Sequence, residues 1–429
     1  MALAGGLAER FAPRAAQHDR EGSFPHQNFA DLHRSGYLAL TIPREFGGGG
    51  ASILEMTLAQ ERLARGDAAT ALGASMHLSI LGRLGGAVLA GETAEMGGWT
   101  RERYSRVARA VIDNGALINS AASEPESGSP SRGGRPATTA VPCHPDAPDS
   151  FVITGRKTYT TMAPALHFIM VSATIDAPGG PEAGQFLLER GLPGLRIEET
   201  WDSVGLRGSG SHDLVLEAVR VPETALLSRR PYPRSNGAVA EGATLAPPSG
   251  APTEPSSPVA PATEGGRSAG AEPPVGAGWA ALIPAVYLGV ATAARNTAVD
   301  FARERRPQPL GGKSIGELPA VQRLLGEIEV ALTEARALLF GTAEAWCEAP
   351  HRHAALLPLL GTAKYVVTNR AVEIADKAMR VVGGAGLAHA HPVQRYYRDV
   401  RAGLHHPPMD DVALTTLARA ALAGKTLAD

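Results

Sequence analysis

At 429 residues the chain exceeds one ordinary core of about 100–200 residues, so two or three domains are expected. Its 41 Lys and Arg against 43 Asp and Glu give a net charge of −2, which leaves no field to gather nucleic acid or an anionic membrane. Glycine and proline, 49 and 33 residues, exceed their ordinary shares of about 7% and 5%, so some of the chain is expected not to pack.

The first residues, Met1 to Ala8, run straight into Glu9, Arg10 and Arg14, without the basic start and sustained apolar run of a signal peptide. No later stretch reads as a bilayer span, and two distant cysteines, Cys143 and Cys347, offer no disulfide framework. The expected setting is the cytoplasm. From Ala2 to about Ile112 the apolar residues Phe29, Leu32, Leu38, Leu54, Leu58, Leu63 and Leu72 recur at helical steps. The run Gly47-Gly48-Gly49-Gly50 breaks that pattern, either as a flexible turn or as a ligand-facing loop.

Near Ile118 the character changes to short segments rich in β-branched and aromatic residues, among them Phe151–Ile153, Phe168–Ala173 and Asp213–Glu217. A β domain is expected to about Leu227. Residues 231–278 hold 10 of the 33 prolines and 8 glycines with no Ile, Phe or Trp. That composition buries too little apolar area to order itself, so a disordered insertion is expected. Helical periodicity then returns in four runs, 279–305, 318–348, 354–382 and 392–426, long enough for an antiparallel bundle. The resulting division is 1–117 helical, 118–228 β, 229–278 insertion and 279–429 helical bundle.

Four segments carry possible chemistry. Ile118–Ser129 clusters Ser and Gly, whose small donors suit a planar ring or a phosphate. In Gly155–Ala163 an aromatic residue, Tyr159, is flanked by hydroxyls, so its ring could stack on a flat cofactor while Thr161 bonds the edge. Arg380–Gly386 pairs an arginine with glycines that let a diphosphate approach the backbone. The fourth segment, Arg398–Met409, contains His405-His406-Pro407-Pro408.

Taken in order, these segments resemble the acyl-CoA dehydrogenase superfamily. The marks are Ile42-Pro-Arg-Glu-Phe-Gly-Gly, Ser123-Glu-Pro with Gly128-Ser129, Gly155-Arg-Lys with Thr161, Val204-Gly-Leu-Arg207, Glu304-Arg305, and Gly383-Gly384 followed by Arg398-Asp399. The resemblance implies an α+β multidomain fold: an N-terminal helical domain, a middle β-barrel or sandwich domain, and a C-terminal four-helix bundle. It also implies FAD bound within a homotetramer. By position Ser123 and Thr161 would meet the flavin ring, Tyr159 would cover one face, and Ser129 would lie near the diphosphate or thioester. Arg305, Arg380, Gly383 and Gly384 would serve the adenine diphosphate end, partly across a subunit boundary.

One place departs from the family. Dehydrogenases of this type remove an α proton from an acyl thioester with a carboxylate while hydride passes to flavin N5, and the usual base is a Glu eight residues after the Arg-Asp pair. Here that place is Pro407, and Gly278–Leu288, where other members carry the Glu, contains no acid. His406, Asp410 and Asp411 are the nearest substitutes. His406 and His77 stand where the flavin monooxygenase branch of the superfamily has active-site histidines, although each could instead be structural. The leading expectation is an FAD-dependent oxidoreductase that dehydrogenates an acyl thioester and passes electrons to an acceptor flavoprotein. The first alternative is a two-component monooxygenase using FMN from a flavin reductase, and the second a catalytically inactive binding member.

Overall fold

The computed structural model describes residues 1–91, 98–126, 135–143, 149–177, 180–232 and 277–424. Most of the expected insertion, 233–276, lies outside the described residues, as does Ser129.

Five helices open the chain: α1 (Ala2–Glu21), α2 (His26–Arg34), α3 (Ile53–Ala64), α4 (Ala68–Ala90) and α5 (Arg101–Asn114). Local chemistry sets their ends. Ser52 and Glu55 form a reciprocal capping box at the start of α3, the Asp67 carboxylate accepts from Ala69 N to start α4, and Gly115, at φ 68°, closes α5. The glycine run before α3 is a packed turn. A Cβ on Gly48 would stand 2.2 Å from the Ile42 carbonyl oxygen, and Gly49 N and Gly50 N donate to Ala39 O and Ile42 O. Close approach to its own backbone is therefore what demands glycine there.

Eight strands follow: β1 (Leu117–Ala121), β2 (Thr139–Pro142), β3 (Ser150–Thr160), β4 (Leu166–Ile175), β5 (Glu182–Glu189), β6 (Leu195–Glu198), β7 (His212–Pro222) and β8 (Leu226–Pro231). They form one sheet ordered β6-β7-β3-β2-β4-β5-β8, with β1 beside β4. Strand β4, paired with β1 and β2 in parallel and with β5 antiparallel, is buried along nearly all its length, as a central strand should be. β3 and β7 pair antiparallel, with a register shift between Lys157 and Thr160 that matters below.

The last part consists of α6 (Ala277–Glu304), α7 (Pro319–Glu348), α8 (His353–Val382), α9 (Pro392–Asp399) and α10 (Asp410–Leu422). The expected fourth long run is two helices rather than one. Residues 400–405 tighten into a 3-10 stretch and Pro407-Pro408, which lack N–H groups, end it. α4 and α6 are long and apolar enough to cross a membrane, yet 67% and 83% of their apolar windows are buried. They are core helices, and α6 packs on α3, α4, α7 and α8. The buried Glu61 on α3 ties the two helical parts together: Oε1 accepts from Thr292 on α6 and Arg336 on α7, each at 3.0 Å.

The β domain docks through the loop Val204–Arg207. A Cβ on Gly205 would lie 2.5 Å from Arg398 O, so glycine lets the loop touch the end of α9, and Leu206 N donates to Asp399 Oδ1 at 2.6 Å. Burial pushes the Asp399 carboxyl up to about 7, against the lowering effect of that bond and of Arg395. A carboxyl raised above its unfolded value of 3.8 makes the folded state the better proton binder. Its favourable contribution is complete below that unfolded value and is lost as pH rises through the folded one. Asp399→Asn keeps an acceptor for Leu206, so thermal melts of this variant should show a flatter decline from pH 4 to pH 7 and a higher midpoint at pH 8 than the wild type. A parallel decline in both proteins would exclude Asp399 as the titrating group.

Candidate active site

The register shift in β3 throws Tyr159 into the left-handed region, at φ 55°, an uncommon conformation for a bulky residue and one that clusters at functional sites. Its ring is consequently 67% exposed and stands edge-on to Trp201, with ring centroids 6.1 Å apart. Trp201 is held in turn by its own Nε1, which donates to Leu206 O at 3.1 Å. The aromatic step is thus built into the domain contact. Two residues on, Thr161 is buried and joins a row of hydroxyls, with Oγ1 3.0 Å from Ser211 Oγ and that atom 2.8 Å from Ser209 Oγ. Asn119 Nδ2 also fixes the Thr161 carbonyl at 2.9 Å.

Ser123 is brought to the same rim because Thr158 N donates to its carbonyl at 2.9 Å. Beneath it Glu124 and Lys157, both fully buried, form an ion pair at 2.6 Å, and Thr138 N donates to the same carboxylate at 3.0 Å. Burial alone would raise the Glu124 carboxyl, but the Lys157 and Thr138 hydrogen bonds outweigh it and bring it to about 2. The Ser123 turn therefore stands on a charged peg. An exposed aromatic ring, hydroxyls beside it and a rigid turn fit a flat, polar-edged ring system such as a flavin. Trp201, Ser209 and Ser211 were not singled out in the sequence, since they lie far from Tyr159 in the chain and only the β3–β7 pairing collects them.

The other expected cofactor residues gather at the far end of α6 and α8. Arg305 and Gly384 line a cleft of about 430 Å³ with Phe301, Pro307, Val381 and Val382. Gly383, at φ 67°, ends α8 there. Arg380 is exposed and turned to Asp376, 2.8 Å away on its own helix. His391 caps α9, its Nδ1 accepting from Val393 N at 3.3 Å.

The two histidines separate in role. His77, on α4, is fully buried, with Nε2 donating to Leu38 O at 3.1 Å and Nδ1 accepting from Ile118 N at 3.2 Å. Desolvation lowers it to about 4, partly offset by the Leu38 bond, so it is a neutral staple joining α4 to β1. Both ring nitrogens are engaged in this structure, an arrangement that favours a structural part for His77 over the expected catalytic one. His406, by contrast, has a buried Nε2 without a hydrogen-bond partner among the described residues. Its ring sits against Tyr287 and Trp279 on one face of α6, at 5.8 and 6.1 Å between centroids. Trp279 Nε1 also donates to Pro407 O at 3.0 Å, which pins the segment. Desolvation, then the nearby Lys364 charge, lowers His406 to about 4.

Helix α4 links the two regions. At Gly73 a Cβ would stand 2.8 Å from Met162, just past the Thr161 turn, and further along Ser79 packs on Gly278 at the start of α6.

Residues 3–87, 119–219 and 281–411 match the N-terminal, middle and C-terminal domains of acyl-CoA dehydrogenases. The acyl-CoA dehydrogenase homologue YdbM of Bacillus subtilis is 43% identical over 96% of this chain and 94% of its own length. The chain belongs to the acyl-CoA dehydrogenase superfamily. It is thus a member of a family of flavoprotein oxidoreductases, with the three-part fold expected from its sequence. It is also similar to the amino sugar nitrososynthase RubN8 of Streptomyces rubradiris, 31% identical over 94% of this chain and 85% of that protein. Among solved structures, KijD3 bound to FMN and a dTDP-linked amino sugar is 27% identical, with a TM-score of 0.76 over 99% of this chain and 93% of that one.

Proposed function

We propose that this protein is a flavin-dependent monooxygenase of acyl-CoA dehydrogenase architecture, supplied with reduced flavin and O₂ and oxygenating a small substrate beside His406. One observation carries the reading. The place of the family's proton-abstracting Glu is Pro407, the α6 segment opposite it has no acid, and the residue next to Pro407 is a neutral histidine whose buried Nε2 has no partner among the described residues.

Tyr159, Trp201, Thr161 and Ser123 would hold the flavin ring, and the Arg305 cleft would receive the phosphate end. Reduced flavin, when bound, supplies the electrons that activate O₂. The chain's own part is to exclude water, which Trp279 and Tyr287 do, and to accept or return a proton at His406 Nε2. A nitroso product contains an oxygen that thioester dehydrogenation does not provide, so the likeness to RubN8 supports oxygenation within this fold. The alternative, thioester dehydrogenation, is favoured by the likeness to YdbM and by Asp410, which lies three residues past Pro407. Asp410 Oδ2 already accepts from Asn369 Nδ2 at 2.9 Å, and Oδ1 faces the Lys364 ammonium at 3.6 Å, whose charge stabilises the carboxylate and weakens it as a base.

Two measurements separate the readings. Anaerobic titration of the flavin-loaded protein with acyl-CoAs of several chain lengths should leave the flavin spectrum oxidised. Incubation with reduced FMN or FAD, isotopically labelled O₂ and a panel of small amines and sulfides should place the label in product. Anaerobic bleaching by an acyl-CoA, with no label transferred, would instead establish the dehydrogenase.

A further inference from the structure

Lys364, on α8, is buried completely. Among the described residues its one ion-pair partner is Asp410, with Oδ1 at 3.6 Å, and its Nζ makes no hydrogen bond. An ammonium removed from water with its protons unused is costly unless something accepts them. Asp410 Oδ1 and His406 Nε2 lack partners in the same way. These three atoms come from one corner. A Cβ on Gly361, a turn before Lys364, would stand 3.9 Å from Pro408, and one on Gly403 would stand 3.1 Å from both Thr368 and the Tyr287 ring. The 403–410 segment thus lies in the groove between α6 and α8, with Lys364 on the α8 wall. Pro407 and Pro408 contribute no N–H, so hydrogen-bond donation here falls to Lys364, to the Tyr287 hydroxyl, which is also buried without a partner among the described residues, and to His406 when its Nε2 carries the proton.

Charge selects the ligand. Lys364 and Asp410 cancel, and His406 is neutral, so a full anion entering the corner would leave it with an unbalanced negative charge. A neutral acceptor oxygen satisfies the ammonium without that penalty, and the indole of Trp279 and the ring of Tyr287 suit an apolar body attached to it.

We propose that Lys364 and His406 form an oxygen-binding subsite of the substrate pocket, which takes the carbonyl, sulfoxide or sulfone oxygen of an uncharged substrate in preference to a carboxylate. The subsite rests on the corner around His406 being the substrate side of the proposed active site. Lys364 is a substrate-positioning residue in this account.

The chain has only five lysines, so protein labelled at lysine Cε gives a spectrum in which Lys364 is assigned by Lys364→Met. Oxidised, flavin-loaded protein is titrated at constant ionic strength with N-methylacetamide, dimethyl sulfone and sodium acetate, without turnover. The two neutral probes should shift the Lys364 signal saturably, and acetate should not. Followed at the His406 ring, Lys364→Met should weaken the neutral probes by about tenfold or more, as for one charge-assisted hydrogen bond. The double variant Lys364→Met/Asp410→Asn, which leaves no unpaired buried charge, should reproduce that loss while keeping the fold. A Lys364 signal unmoved by both neutral probes, or acetate binding as tightly as they do, would overturn the subsite. Because no oxygenation is measured, failure here leaves the labelled-oxygen result standing, and the reverse also holds.

Discussion

Replacing His406 by alanine should lower turnover by about 10²-fold or more, the usual contribution of a positioned proton-transfer group, while leaving flavin affinity close to wild type. The distinction follows from the geometry. His406 touches Trp279, Tyr287 and the Lys364 corner, whereas the rim expected to hold the flavin ring belongs to β3 and its neighbours. Truncation removes an imidazole but leaves the Trp279 Nε1 bond to Pro407 O, so the segment keeps its anchor. The pH profile tests the same assignment. Desolvation and the Lys364 charge hold His406 at about 4, below its ordinary value of 6.5, so it is neutral throughout the physiological range. Activity should show no histidine limb between pH 6 and pH 8 and should fall only as pH drops toward 4. Lys364→Met removes the second of those causes and should move the acid limb upward. Unchanged turnover in His406→Ala, or a wild-type limb near pH 6.5, would exclude His406 as the proton carrier.

The order of helices, sheet and helices was legible because periodicity is a local property of the chain: Leu63 and Leu72 advertise helical faces and Phe168–Ala173 a buried strand. Spacing also located the departure at Pro407. What sequence could not supply was the direction in which a side chain points. Nothing in the chain separates the parts of His77 and His406, yet the first spends both nitrogens on Leu38 and Ile118 and the second keeps one free. Lys364 reads as one charged residue on a helix. It becomes notable only when α8 turns it inward, toward Asp410 and a segment that two prolines have bent away from helix. The fourth bundle run failed for a related reason: the periodicity of 392–426 continues across Pro407-Pro408, but the backbone cannot.

The largest effect on stability is expected at Lys157. Replacing it by methionine leaves Glu124 buried and charged without its counter-ion, and loss of one partner of a buried ion pair typically costs about 3–5 kcal/mol. Glu124→Gln should cost less, since the amide keeps an acceptor for Thr138 N, which now bonds the carboxylate at 3.0 Å, and the buried lysine retains a contact with Ser172 Oγ at 3.3 Å. The double variant should lose less than the sum of the two, because each single change includes the penalty of stranding the other charge. The pH dependence has the opposite sign to that at Asp399. The Glu124 carboxyl is held at about 2, below its ordinary 4.5, so its contribution is complete above the unfolded value and is lost as pH falls toward the folded one. Denaturant unfolding at pH 7 and pH 4 should therefore show a smaller difference between wild type and Lys157→Met at the lower pH. The same variants should loosen flavin binding, because the turn carrying Ser123 stands directly on Glu124 and meets β3 through Thr158 N. If Lys157→Met unfolds at the wild-type denaturant concentration, the pair is not what orders that rim. If it is destabilised but binds flavin as tightly as before, Ser123 does not hold the ring.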